Sequence, residues 1–254
     1  MTLFWTGALA LVILLYVLLD GFDLGVGILF GFARDQRHRR QMLAAIAPVW
    51  DGNETWLVLG LPLVDGAYAG APLEWLNPFA LLCGLGLCLG YALLGATWLI
   101  RKCEGEVRER AYRALPMLLG GVLAFLVAVF ALALAQHVTI MQRWLERPWL
   151  AVFPLVGLVA VCHLLLALRR RRVDWRPFSM VALIFLSAFG TLAASFWPYM
   201  IPFSMTIDQA ASPETSQTFM FWGAGLVVLP LTLVYTVFTY RVFGGKVVLQ
   251  DEEY

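Results

Sequence analysis

The sequence predicts an all-α, polytopic transmembrane bundle, and three observations carry that prediction. Of its 254 residues, 61% are hydrophobic and only 14% are charged. A soluble domain carries nearer a quarter charged residues. The apolar residues gather into runs as long as the roughly 20 residues a helix needs to cross a bilayer. Basic residues fall almost wholly in alternate connections between those runs.

The runs define seven spans. Leu3 to Phe32 supplies the first and Met42 to Val64 the second, joined by a basic turn, Ala33 to Arg40. An acidic, Gly/Pro-containing loop, Asp65 to Leu76, leads to the third, Pro78 to Ile100. A charged loop, Arg101 to Arg113, precedes the fourth, Leu115 to Met141. Gln142 to Arg147 is a short turn before the fifth, Trp149 to Leu168, which ends on Arg169 to Arg172. The sixth is Phe178 to Trp197. Pro198 to Thr218 is a polar loop before the seventh, Phe219 to Phe243, and a short charged tail. The chain reads as one membrane domain: an acidic hairpin, residues 1–64, and five further helices, residues 77–243. Met1-Thr-Leu-Phe-Trp5 lacks a basic leader region, so no cleavable signal peptide is expected.

Charge placement decides whether the second run crosses. With the N-terminus outside and sides alternating, all of the eighteen Lys and Arg except Arg143 and Arg147 face inward. The positive-inside rule therefore predicts seven spans, N-terminus out and C-terminus in. Without a crossing at Met42 to Val64, the basic loops would lie on opposite sides. Arg169 to Arg172 anchors the fifth span at the inner surface and attracts anionic lipid.

Two polar stretches interrupt the first two spans: Asp20-Gly-Phe-Asp-Leu-Gly-Val-Gly27 and Trp50-Asp-Gly-Asn-Glu-Thr-Trp56. They put four carboxylates, Asp20, Asp23, Asp51 and Glu54, where a charge is expensive and marks function by default. At the helical rise, Asp23 and Asp51 lie roughly 14 Å from the inner surface, and Asp20 and Glu54 about 18 Å. Matched depths allow Asp23 to face Asp51 and Asp20 to face Glu54, forming a proton path from the inside. Like charges close together in low dielectric do not all ionise, so some of these groups are expected to hold protons near neutral pH. The alternative is structural: the acids bond backbone groups or neighbours, with Trp50, Asn53, Thr55 and Trp56 at hand. Gly21-xxx-Gly25, Gly27-xxx-Gly31 and Gly86-xxx-Gly90 are expected to admit close helix neighbours. Pro48 is expected to kink the second span.

The remaining candidates read as scaffold. His137 and His163 lie at different depths, so a haem shared between them is not expected; packing or hydrogen bonding suits each better. His38, in the basic turn, reads as solvated. Cys83, Cys88 and Cys162 lie in apolar helices without CxxC spacing and read as core residues. Trp5, Trp75, Trp144, Trp149, Trp175, Trp197, Tyr199 and Tyr240 read as an interfacial belt. No metal site, nucleotide-binding motif or haem-attachment motif appears, and nucleic acid is not an expected partner.

Several stretches together resemble a known family. The first motif, the turn Phe32-Ala-Arg-Asp35, and Ile46-Ala-Pro-Val-Trp-Asp-Gly-Asn-Glu-Thr-Trp-Leu57 resemble subunit II of cytochrome bd-type quinol oxidases, including the cyanide-insensitive branch. So do Leu76-Asn-Pro-Phe79, Tyr91-Ala-Leu-Leu-Gly-Ala-Thr-Trp98 with Glu104-Gly-Glu106, and Pro198-Tyr-Met-Ile-Pro202. The resemblance implies a heterodimer with subunit I in the bacterial inner (cytoplasmic) membrane. Such a complex oxidises quinol, reduces O2 to water, and takes its protons from the inside. Haems b558, b595 and d are implied on the partner, with no catalytic residue and no firmly bound cofactor on this chain. Lipid and a small accessory subunit are further partners, and some members hold a quinone in subunit II, although nothing here marks such a site. The resemblance links Asp51 with Trp50, and Asp20 with Asp23, to proton supply and haem-site stability.

One departure stands out. The family is typically built of nine helices, whereas here Gly60 is followed by text resembling the loop before the fifth. About two helices are missing, an even number that leaves later orientations unchanged. The rivals to a working subunit II are a pure assembly scaffold, an inactive shortened copy, and a stand-alone proton or cation transporter. The last is disfavoured because no internal repeat is present.

Overall fold

A computed structural model describes residues 1–49, 78–136, 138–201 and 204–247. Helix α1 runs Thr2–Gly31, α2 Gln36–Ile46, α3 Pro78–Lys102, α4 Gly105–Gln136 and α5 Val138–Glu146. A single 3-10 turn, Pro148–Ala151, leads into α6, Val152–Arg169, followed by α7, Arg176–Phe196. A small antiparallel hairpin follows, β1 Tyr199–Ile201 with β2 Met205–Thr206, paired Tyr199 to Thr206 and Ile201 to Met205. Then come α8 Ile207–Ala210, α9 Glu214–Met220, a π-helical stretch Phe221–Val228, and α10 Leu229–Val242. The protein is thus an all-α, multi-pass membrane bundle. Among the described residues, six helical segments are long and apolar enough to cross a bilayer. The expected second span, Met42 to Val64, lies mostly outside the described residues, as does the loop Asp65 to Leu76.

Helix α3 is the centre of the bundle, packed against α1, α4 and α7. Its pivot is Trp98, 1% exposed. The Trp98 ring stacks on Phe22 of α1 at 4.2 Å and meets Phe178 of α7 and Tyr240 of α10. Its indole N–H donates to the Ala45 carbonyl of α2 at 3.0 Å. One side chain therefore ties five helices together. Tyr240 and Trp175, expected in an interfacial belt, also touch the Trp98 ring, with Trp175 40% exposed at the start of α7.

Several boundaries differ from expectation, each for a local reason. The turn Ala33 to Arg40 is half helix, because the Asp35 carboxylate accepts from the Arg37 and His38 backbone N–H groups and caps α2. This carboxylate was available as a start signal. Those two N–H donors hold the Asp35 carboxyl below the usual aspartate range. A depressed value means that the cap stabilises α2 above the ordinary aspartate pKa of about 4 and is lost as pH falls through the lower folded value. Amide exchange across residues 36–46 should therefore accelerate on acidification, and Asp35→Ala should show the fast exchange already at neutral pH. At its other end α2 closes at Ile46 and turns through Ala47 to Val49. Pro48 there has no N–H to continue the ladder.

The charged loop Arg101 to Arg113 is mostly helix. Helix α3 continues to Lys102, and α4 begins at Gly105, whose φ of +63° is a left-handed value that suits glycine. Pairs four residues apart, Glu104 with Arg108 and Glu106 with Arg110, support this start. The turn at Gln142 to Arg147 is likewise largely α5, and Arg143 from it donates to the Ser195 and Trp197 carbonyls at the end of α7. The loop Pro198 to Thr218 contains the hairpin, α8 and most of α9. Cys88 and Cys162 face outward rather than into the core, and Cys83 is half-buried. The buried thiol is Cys103, which burial pushes up to about 12.

The basic segments meet at one end of the bundle. Arg171 bonds Glu109 at 2.7 Å, Lys246 bonds Glu104 at 2.6 Å, and the Gln41 side chain reaches the Glu104 carbonyl. Arg101 covers the Trp175 ring at 3.4 Å. Lys102, 5% exposed, donates to the Phe243 and Gly245 carbonyls beyond α10. Lys102→Met would leave those carbonyls unpaired, at about 1–3 kcal/mol. The expected result is faster protease cleavage after Phe243 with the rest of the bundle intact.

Candidate acidic site

Asp20 and Asp23 sit in the second half of α1 and are 5% and 4% exposed. Three residues apart, they lie on neighbouring positions of one helix face. Between them Gly21 and Phe22 turn toward α3. A Cβ on Gly21 would meet the Tyr91 ring at 2.8 Å, and Phe22 fills the space beside Trp98. The acids are therefore fixed by the packing of the residues between them. Tyr16, four residues before Asp20, hydrogen-bonds its carboxylate, and Tyr91 lies within electrostatic range of Tyr16, Asp20 and Cys88. The sequence reading missed both tyrosines. Tyr16 was legible as the i−4 neighbour of a buried acid; Tyr91 was not, because its place depends on how α3 docks.

The close approach of α1 and α3 is set one turn further on. A Cβ on Gly25 would collide with the Tyr91 carbonyl, and one on Gly95 with the backbone of Gly25 and Val26. The expected use of Gly21-xxx-Gly25 thus holds, with α3 as the partner. Gly27 and Gly31 have nothing within reach, so that pair packs no neighbour among the described residues. Gly86 and Gly90 make room for the rings of Phe125 and Phe185 rather than for a backbone.

Asp51, Glu54, Trp50, Asn53 and Trp56 lie outside the described residues, and with them the expected facing of Asp23 with Asp51 and Asp20 with Glu54. His137 lies outside them too. His163 is exposed, and its Nδ1 meets the Val159 carbonyl of its own helix at 2.9 Å. His38 is not solvated as expected. The early start of α2 turns it toward α4, where Nε2 lies 3.4 Å from Glu106 and the side chain is 15% exposed. Among the described residues, no three His, Cys, Asp or Glu side chains gather as a metal site. Chemically, the described cluster is a pair of buried carboxylates with a phenol bonded to one of them. Such groups can hold and pass protons, and none of them supplies a nucleophile beside a base.

Comparison with known proteins gives a consistent result. The family model for cytochrome bd terminal oxidase subunit II matches residues 1–71 and 60–243. The two matched segments overlap over residues 60–71. A cytochrome bd-I ubiquinol oxidase subunit 2 of Escherichia coli is 23% identical, with 98% of this chain and 96% of that protein covered. Its alignment spans 365 positions, longer than this chain's own 254 residues. A cytochrome bd ubiquinol oxidase subunit 2 of Bacillus subtilis is 21% identical, with 96% of each chain covered. A probable cytochrome oxidase subunit 2 of Haemophilus influenzae is 22% identical, covering 89% of this chain and 90% of that one.

Proposed function

Because the chain belongs to the cytochrome bd terminal oxidase subunit II family, we propose that it is the haem-free second subunit of a bd-type quinol oxidase and that its acidic cluster supplies protons to, and steadies, the partner's haem sites. Subunit II of such an oxidase works with a subunit I, and the haems of the family reside generally on that partner. The observation that carries the proposal is the burial of Asp20 and Asp23 at 5% and 4% exposure on a membrane helix. A membrane helix retains two such carboxylates only against a substantial cost, and proton relays are among the functions that keep them there.

In this reading Asp51 and Glu54 continue the route begun by Asp23 and Asp20, with Trp50, Asn53 and Trp56 in support. The topology is N-terminus out and C-terminus in, with Met42 to Val64 as a seventh span, so protons enter from the basic, cytoplasmic end of the bundle. The complex sits in the bacterial inner membrane, oxidises quinol and reduces O2, with haems b558, b595 and d on subunit I. A small accessory subunit and a bound quinone are compatible with this arrangement.

The first test is docking. This chain, tagged and co-expressed with a bd subunit I, should bring that subunit down with a haem d band in the reduced-minus-oxidised spectrum. Failure to recover subunit I, or recovery without haem d, would make this shortened form an inactive copy.

A further inference from the structure

The acidic cluster leaves one feature of the bundle unused, an apolar groove of about 430 Å³ between α1, α2, α3 and α4. On α3 its wall runs from Leu85 to Leu99, roughly 21 Å at the helical rise. Leu85 of α3 and Met117 of α4 are 60% and 74% exposed, so the groove opens on the side of the bundle. One end carries the polar lining residues, His38 and Arg110, both in contact with Glu106. The exposed Arg34 and Arg40 flank the lining residues Ala33 and His38 in sequence, and the exposed Arg113 follows Arg110 by three residues; these bases outnumber the acids Asp35 and Glu106 at that end.

We propose that this groove is a phospholipid site, holding one acyl chain along α3 with an anionic headgroup at the Arg110 end. The shape asks for a long, narrow, apolar occupant, and the basic rim asks for a negative charge at one end only. Basic pockets between membrane helices at the cytoplasmic surface take anionic headgroups for this reason. Placing the headgroup in the cytoplasmic leaflet rests on the topology proposed above; the pairing of groove and basic rim does not.

The test is lipid retention. The complex, or this chain alone if subunit I does not bind, is purified in mild detergent, and co-purified lipid is counted by native mass spectrometry. Wild type should retain a phosphatidylglycerol or cardiolipin molecule in preference to phosphatidylethanolamine. Ala114→Phe, which fills the groove, should lower that retention about fivefold or more. Arg110→Gln with Arg113→Gln should keep a lipid but lose the anionic preference, by about fivefold for each basic residue removed. Unchanged lipid in Ala114→Phe would overturn the proposal, as would retention without anionic preference in wild type. Recovery of a quinone in place of phospholipid would also overturn it, as would crosslinking of Met117→Cys to another polypeptide. Should Ala114→Phe fail to fold, the arginine pair carries the same test.

Discussion

Replacing Gly25 with leucine should abolish the folded bundle, and replacing it with alanine should cost about 3 kcal/mol or more. Overpacking a well-filled core ordinarily costs 1–3 kcal/mol, because side chains shift to make room. At Gly25 the obstacle is the Tyr91 carbonyl, which is fixed in the ladder of α3, so the two helices must separate. Gly95 faces the same backbone from the other side and should behave alike. Separation would also lift Phe22 from Trp98 and uncover Asp20 and Asp23. Gly27→Ala and Gly31→Ala are the controls. Both positions have open space, and alanine is the better helix former by roughly 0.5–1 kcal/mol, so neither should destabilise. Yield and thermal aggregation temperature in detergent report the difference.

Trp98→Ala should destabilise the bundle by about 3 kcal/mol. Truncating a buried aromatic costs 3–5 kcal/mol in water-soluble cores. The lower end applies here, since membrane helices gain packing on association but little transfer from water. The loss has two parts: the ring contacts to Phe22, Phe178 and Tyr240, and the hydrogen bond to Ala45. Trp98→Phe keeps most of the first and none of the second. It should therefore recover all but about 1 kcal/mol, the usual net worth of such a bond. A urea or SDS unfolding series on the three proteins separates the two parts.

The apolar spans were legible because their signal is long and needs no partner. Which helix packs on which was not, since a lipid-facing leucine and a core leucine look alike when both surroundings are apolar. Cys88 and Cys162 show this: the same apolar context as a buried cysteine, yet outward-facing. Trp98 shows the converse, an aromatic near a helix end that is buried as the hub of the bundle. The boundaries differ from expectation where charged residues lie in helix rather than loop. Asp35 caps a helix and Glu106 pairs with Arg110 along one, and both patterns are local enough to have been read. At the acidic site, Asp20 and Asp23 were marked by the cost of charge in an apolar run. Tyr91, whose ring lies against Gly21 between them, is placed only by the Gly25–Gly95 crossing of α1 and α3.

The proton role is tested most directly by oxygen uptake per haem d in complexes carrying Asp20→Asn or Asp23→Asn. Asparagine keeps the size of the side chain and one acceptor oxygen, exchanges the other oxygen for an NH2 donor, and removes the titrating group. Proton transfer through a positioned group typically contributes two to four powers of ten in rate. Even with partial bypass, turnover per haem d should fall about tenfold or more, equivalent to ~1.4 kcal/mol in the barrier. Turnover per haem d equal to wild type would contradict the proton route. A fall in haem d content alone would then leave the acids a purely structural part in holding the partner's haem site.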